Sequence, residues 1–333
     1  MKKREALSAL DAVFTKLTDQ LTKTYFESSF VTSQFKEAIV QLDESLQRAK
    51  ALKKSKNIGG PIMGLWVALP LVDLSAPQVQ WEAVGKKKAE ADELRAILIE
   101  NLNNQHQWLL VESFEAVEKY LQDIYGVLGY LDRSLWRCSD FGKITPSDIG
   151  KNDLDWHKQQ VRNSMKRNTK EIRERLNDAL IDVHKYLSCN CRQRDYNFLI
   201  GCIETIRHFI VHSSGRISRD DLFRKVNGNT SNSLTGNSKV LEANRRFLES
   251  LIDSSVGSPV VEIVLIDKKN TEPPYLNLNR PFTDLLGHLS SYGGFLYSQS
   301  LRHFGKEPVW PRTERSTRKT ICEKKEKGIK EGE

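Results

Sequence analysis

Apolar residues recur along this chain in steps of three and four, the spacing of one face of an α-helix. Leu7, Leu10, Phe14, Leu17 and Leu21 mark the first face, and Phe35, Ile39, Leu42 and Leu46 resume it after Ser28-Ser29. The interruption predicts a helical hairpin over residues 1–58, closed by the breaker Gly59-Gly60-Pro61. Pro61, Pro70 and Pro77 leave no room for a long helix, so 59–84 reads as an irregular apolar linker. A second helical region starts near Trp81. Within it Leu110, Phe114, Val117, Leu121, Ile124, Leu128 and Leu131 alternate four and three, the stripe of a bundle core. Gly126 and Gly129 lie on that helix, where a missing side chain lets a neighbour approach closely.

A turn-rich stretch, Ser139 to Asp155, precedes the next helical face, which is marked by Val161, Met165, Ile172, Leu176, Val183 and Leu187. A further helix covers Asp195 to His212 and stops at Ser213-Ser214-Gly215. Asp220–Phe223 and Val240–Leu251 read as short helices, and Pro281–Phe304 as the last one. Val260 to Ile266 is β-branched and short, a strand. The fold class is therefore all-α: a helical bundle over 85–304, an N-terminal hairpin, a minor β element and a charged, disordered tail over 305–333.

Composition narrows the class. The 333 residues are 28% charged and 39% hydrophobic, which suits a globular chain with a sizeable core. The formal net charge of +8 favours an anionic partner such as nucleic acid, or serves solubility. The longest apolar run, Pro61 to Val72, is too short to span a bilayer and is broken by Pro70. The five cysteines lack a metal or disulfide spacing, and the N-terminus has no unbroken apolar stretch. These features predict a cytoplasmic protein without a membrane partner.

Candidate chemistry concentrates in Arg207-His208-Phe209-Ile210-Val211-His212. An Arg-x4-His spacing alone is a common coincidence, so context must carry the reading. On a helical wheel Gly201, Glu204, Thr205, His208 and His212 share one face, with Leu199, Ile203, Ile206 and Ile210 opposite. Arg207 lies at the edge of the polar face. A guanidinium holds phosphate oxygens bidentately, and an imidazole takes or gives a proton near neutrality. RNA brings its own 2′-hydroxyl nucleophile, so these groups suffice for cleavage without a metal or cofactor. His208 and His212 also have the i,i+4 spacing of a two-histidine metal site, but Phe209 stands where a metalloprotease helix has its glutamate, and no metal ligand set is assigned. The basic run Lys158, Arg162, Lys166, Arg167, Lys170, Arg173 and Arg175 reads equally as an RNA path or a solvated face. Trp108 and Trp136, like Tyr120 and Tyr125, are assigned to core packing.

The segment Ile206–Gly215 resembles the signature of the HEPN superfamily: an Arg, a following polar residue, and a His with four to six residues between it and the Arg, near the end of a bundle helix. The resemblance spans roughly residues 85–304, with specific identity confined to 204–215. It implies a HEPN-like bundle and a metal-independent endoribonuclease. It also implies a homodimer in which two motif helices face one another and form a composite site. By residue, Arg207 would hold the scissile phosphate, His212 would be the main acid–base group, and His208 would orient or assist. Glu204 is placed to anchor Arg207 at i,i+3, or to form an ordinary surface ion pair. Many members act as toxins or in phage defence, so an antitoxin or regulatory protein is a further expected partner. One branch is paired with an enzyme that modifies a tyrosine two residues after the motif histidine; here that position is Ser214. The alternative is a non-catalytic HEPN-like module that binds RNA or protein.

Overall fold

The longest element is helix α1 (Lys2–Lys56), which runs through Ser28-Ser29 without a break. Its buried positions are Ala6, Leu10, Val13, Leu17, Leu21, Thr24, Ser28, Thr32, Phe35, Ile39 and Leu42. They step by four, three and four, an eleven-residue period that keeps one face inward on a nearly straight helix. The hairpin expected within 1–58 is thus replaced by one continuous helix. The reason lies in what the polar residues meet. Ser28 Oγ lies 3.0 Å from Nε2 of the buried His106, and Thr32 Oγ1 donates to the Ser28 carbonyl at 2.8 Å. Polar side chains that mimic a loop in sequence are core residues with partners.

The computed structural model describes residues 2–56, 63–71, 80–89, 91–136, 145, 147, 152–164, 169–180, 196–230, 239–253, 259–267 and 280–308. In place of the irregular linker expected over 59–84, strands β1 (Met63–Leu71) and β2 (Gln80–Ala89) pair antiparallel, Met63 opposite Ala89 and Leu71 opposite Gln80. Pro70 sits opposite Trp81 in a two-stranded sheet, where every strand is an edge and a missing N–H is tolerated. Trp81 therefore belongs to a strand, and the next helix, α2, begins at Ala91 and ends at Leu131.

Helix α2 returns antiparallel along α1. Arg95 pairs with Asp43, His106 with Ser28, and the Tyr130 hydroxyl donates to Glu5 at 3.0 Å. His106 Nδ1 donates to the Leu102 carbonyl at 2.8 Å, which leaves Nε2 to accept from the Ser28 hydroxyl. Burial lowers the His106 pKa and keeps the ring neutral in this role, against the opposing effect of the Leu102 bond. The helical hairpin of this fold is thus α1–α2, with the β1–β2 pair between them.

Around α2 pack α3 (Leu154–Ser164), α4 (Thr169–Ala179), α5 (Tyr196–Ser213) and α8 (Arg280–His303). The expected stripe from Leu110 to Leu128 is buried. Gly126 permits a close approach of backbones: a Cβ there would lie 2.9 Å from the Lys158 Cα of α3. Val161, Ile172 and Leu176 are buried as expected, on two short helices rather than one; Met165, Val183 and Leu187 lie outside the described residues. Ala6, Leu10, Val13, Leu17 and Leu21 share one core with Phe114, Leu121, Phe198, Ile203 and Leu289. The start of α1 is therefore built into the bundle. The tail expected over 305–333 falls outside the described residues from 309 onward.

The minor β element is a three-stranded antiparallel sheet, order β3-β5-β4, from Arg216–Ser218, Val260–Ile263 and Ile252–Asp253. Helix α6 (Arg219–Asn229) follows β3 directly, its first turn capped by Ser218 Oγ, which accepts from Asp221 N at 3.1 Å. Helix α7 (Lys239–Glu249) leads into β4. The outer strands are two and three residues long, too short to leave a period-two pattern in sequence. The fold is mostly helical with this small sheet, and among the described residues no helix is long and apolar enough to cross a membrane.

Candidate functional site

Helix α5 carries the motif, and its apolar side, Leu199, Ile203, Ile206 and Ile210, is buried as the periodicity predicts. The opposite side is not one solvated face. Gly201 packs against Thr230, and Thr205 is 2% exposed, donating to the Gly201 carbonyl at 2.8 Å and accepting from Asn229 Nδ2 at 2.9 Å. The end of α6 covers that part of the face. Only the last turn opens, presenting His208, Val211 and His212 to solvent.

The helix end is tied on two sides. Ser214 (φ 49°) and Gly215 (φ 73°) both adopt the left-handed conformation, and Gly215 N–H donates to the Phe209 carbonyl at 3.1 Å. The Gly215 carbonyl accepts from Ile263 N at 2.8 Å, which joins the turn to β5. A Cβ on Gly215 would fall 2.7 Å from Nε2 of Gln107, a buried α2 residue whose amide donates to the Ile263 carbonyl at 2.7 Å. The sheet and α2 together fix where His212 sits.

The imidazoles of His208 and His212 are adjacent, with ring centroids 4.5 Å apart. Partial desolvation lowers the His208 pKa, and Lys225, His212 and Arg207 add to the effect, so this ring is predominantly neutral at pH 7. Lys225 lies over the Phe209 ring at 4.8 Å, a second cation beside the motif.

Arg207 turns toward α2. Its Nη2 lies 3.3 Å from Glu115 Oε1 and 3.9 Å from Glu118 Oε2. Glu118 also accepts from the Thr169 hydroxyl at 2.6 Å. Glu204 does not hold Arg207; its Oε2 accepts from Arg173 Nη2 at 2.7 Å, and the Arg173 side chain is 6% exposed. Neither the anchor nor the ordinary surface pair describes this arrangement, because α4 brings a buried arginine to Glu204. Burial raises the Glu204 pKa and Glu118 adds to the rise, while Arg173 pulls it down. Glu115, Glu118, Thr169 and Arg173 are the site residues that sequence reasoning missed. On α2 the two glutamates flank a hydrophobic stripe, a pattern identical to that of a solvated face.

Other candidates sort as follows. Within the basic run Arg162 pairs with Asp123 and Arg173 with Glu204, so two of its charges join helices, while Arg175 pairs with Glu171 on its own helix. Lys166 and Arg167 lie outside the described residues. Trp136 is buried, but Trp108 is 57% exposed, which corrects its assignment to the core. Among the described residues no cluster of three or more His, Cys, Asp or Glu side chains is placed to hold a metal ion. Of the cysteines, Cys202 is described and is a buried free thiol. No protein-family model, curated protein or solved structure matches the chain.

Proposed function

We propose that the exposed end of α5 is half of a metal-independent endoribonuclease site, completed by a second copy of the chain. The observation that carries this reading is the pair of exposed imidazoles, 4.5 Å apart, on the turn that also bears Arg207. Two proton-transfer groups beside a guanidinium match what phosphodiester transfer from a 2′-hydroxyl requires. In that reaction the 2′-oxygen attacks phosphorus and the 5′-oxygen leaves. One imidazole takes the 2′ proton and another, supplied across the dimer, gives a proton to the 5′-oxygen. The products are a 2′,3′-cyclic phosphate and a 5′-hydroxyl. His212 is the principal acid–base group, His208 assists as a neutral ring, and Arg207 holds the phosphate.

Arg207 must exchange Glu115 for the phosphate. That ion pair is exposed on the glutamate side (58%), where such pairs contribute about 0–1 kcal/mol, so the exchange is cheap. An RNA substrate suits an activity in the cytoplasm, and an antitoxin or regulatory protein is the partner proposed for a toxin or defence effector of this kind. The same Glu115 contact favours a second reading, in which Arg207 only joins α2 to α5 and the domain binds RNA or protein without cutting. Labelled RNA incubated with purified protein in excess EDTA separates the two. Cleavage that persists in EDTA and is lost in Arg207→Ala and His212→Ala, both folded, supports the ribonuclease. RNA bound but left intact supports the binding module.

A further inference from the structure

Three carboxylates surround the Arg207 guanidinium, and they are not equally free to bind it. Glu115 and Glu118 stand on α2, and Glu204 lies one turn before Arg207 on α5, at the i,i+3 spacing that normally forms an ion pair. Yet among the described residues Arg207 has a hydrogen bond only to Glu115, at 3.3 Å. Glu204 is occupied by Arg173 at 2.7 Å, and Glu118 gives one oxygen to Thr169 at 2.6 Å while its other stays 3.9 Å from Arg207. Both competing donors come from α4, whose first turn lies over the gap between α2 and α5.

The inner side of this cluster is shielded from solvent, so these choices have consequences. Arg173 is 5% exposed, and among the described residues its Nε, that of Arg207 and the buried Tyr292 hydroxyl have no hydrogen-bond partner. A carboxylate released here turns to the nearest remaining cation, since an uncompensated buried charge is costly. For Glu118 that cation is Arg207, 3.9 Å away, and for Glu204 the remaining cations are Lys170 and Arg207. A guanidinium locked between half-buried carboxylates has no charge left to offer a phosphate.

We infer that Thr169 and Arg173 are positioning residues for Arg207: by engaging Glu118 and Glu204 they draw two of three carboxylates away, and leave the guanidinium held by the exposed Glu115 and available to a phosphate. This rests on the reading of Arg207 as the phosphate-binding group of the ribonuclease site. It gives α4 a task that its basic composition alone does not reveal, namely insulation of the site from its own acids.

The test uses the full chain and a fluorescent single-stranded 2′-O-methyl RNA, which keeps the phosphates but has no nucleophile, with anisotropy as the readout. Thr169→Val keeps the side-chain shape, buries no new charge and frees Glu118; the expected result is binding weakened about tenfold, worth about 1.4 kcal/mol. Adding Glu118→Gln restores it. Arg173→Met weakens binding likewise and Glu204→Gln restores it, with melting curves recorded so that binding is compared well below unfolding. Wild-type binding by Thr169→Val overturns the inference, and so does weakened binding that Glu118→Gln fails to restore, since that marks ordinary loss of packing. If Arg207→Ala binds as tightly as wild type, the phosphate role falls and the inference with it. If the variants behave as expected but unmodified RNA stays intact in EDTA, the insulation stands and the ribonuclease reading fails.

Discussion

Gly215→Ala tests how the fold holds the site, and its cost can be worked from the turn itself. The new Cβ sits on a residue with φ 73°, where an L side chain costs roughly 1–2 kcal/mol. It also lands 2.7 Å from Nε2 and 3.0 Å from Oε1 of Gln107. Gln107 cannot swing aside freely, because it is 3% exposed and donates to the Ile263 carbonyl at 2.7 Å. That carbonyl keeps a second donor, Asn103 Nδ2 at 3.0 Å, so the loss falls mainly on the Gln107 amide, about 1–3 kcal/mol for a buried group left unsatisfied. The sum is about 2–5 kcal/mol, measured by urea denaturation followed by far-ultraviolet circular dichroism. The two components separate in a double-mutant cycle. Gln107→Ala removes the obstacle, so the double variant should lose less than the sum of the singles by about 1 kcal/mol or more. Stability of Gly215→Ala within about 0.5 kcal/mol of wild type would refute the reasoning, since so small a change is typical of an unconstrained surface site.

Three further outcomes follow from other parts of the fold. Gly126→Ala places a Cβ 2.9 Å from the Lys158 Cα, a backbone atom, and should destabilise the α2–α3 contact by about 1–3 kcal/mol in the same denaturation experiment. Burial lowers the pKa of both His106 and His157, so the unfolded chain binds more protons than the folded one once pH falls below the ordinary histidine value. Stability should therefore hold above about pH 6.5 and decline below it. His157→Phe, which keeps the ring among Tyr130, Trp136 and Trp156, should make that decline shallower by up to about 1.4 kcal/mol per pH unit. Glu115→Gln should change stability by less than about 1 kcal/mol, because Glu115 is itself largely exposed, and a larger loss would argue for a structural arginine.

The parts of the fold that were legible in sequence are those in which burial and hydropathy agree. The stripe from Leu110 to Leu128 and the start of the last helix, α8, announce themselves because inward positions such as Phe114, Leu121, Phe282, Leu285 and Leu289 are apolar. Ser28 and Thr32 break that agreement. They are inward and polar: Ser28 is satisfied by His106, 78 residues away, and Thr32 donates to the Ser28 carbonyl beside it. No local pattern distinguishes such residues from a turn. The β1–β2 pair was hidden by its prolines, which mark an edge strand as readily as a loop. At the site, Arg207, His208 and His212 stood out because their chemistry travels with residue type and spacing. Glu115, Glu118 and Arg173 did not, since their part depends on which helices touch. The same limit applies to Trp108, whose exposure could not be read from an apolar residue on a bundle helix.

Helix α1 has no interior break, and this shapes how its backbone opens. A hairpin would show two blocks of amide exchange separated by an unprotected turn at Ser28-Ser29. A single helix of 55 residues, about 80 Å long, has no such seam. Its amides should instead exchange along a gradient, slowest where Leu10, Leu17 and Leu21 enter the main core. Exchange should quicken past Leu42, the last of its inward positions among the described residues. The amides of Ser28 and Ser29 would then sit within the slow part of that slope, and their exchange rates alone distinguish a continuous rod from two joined helices.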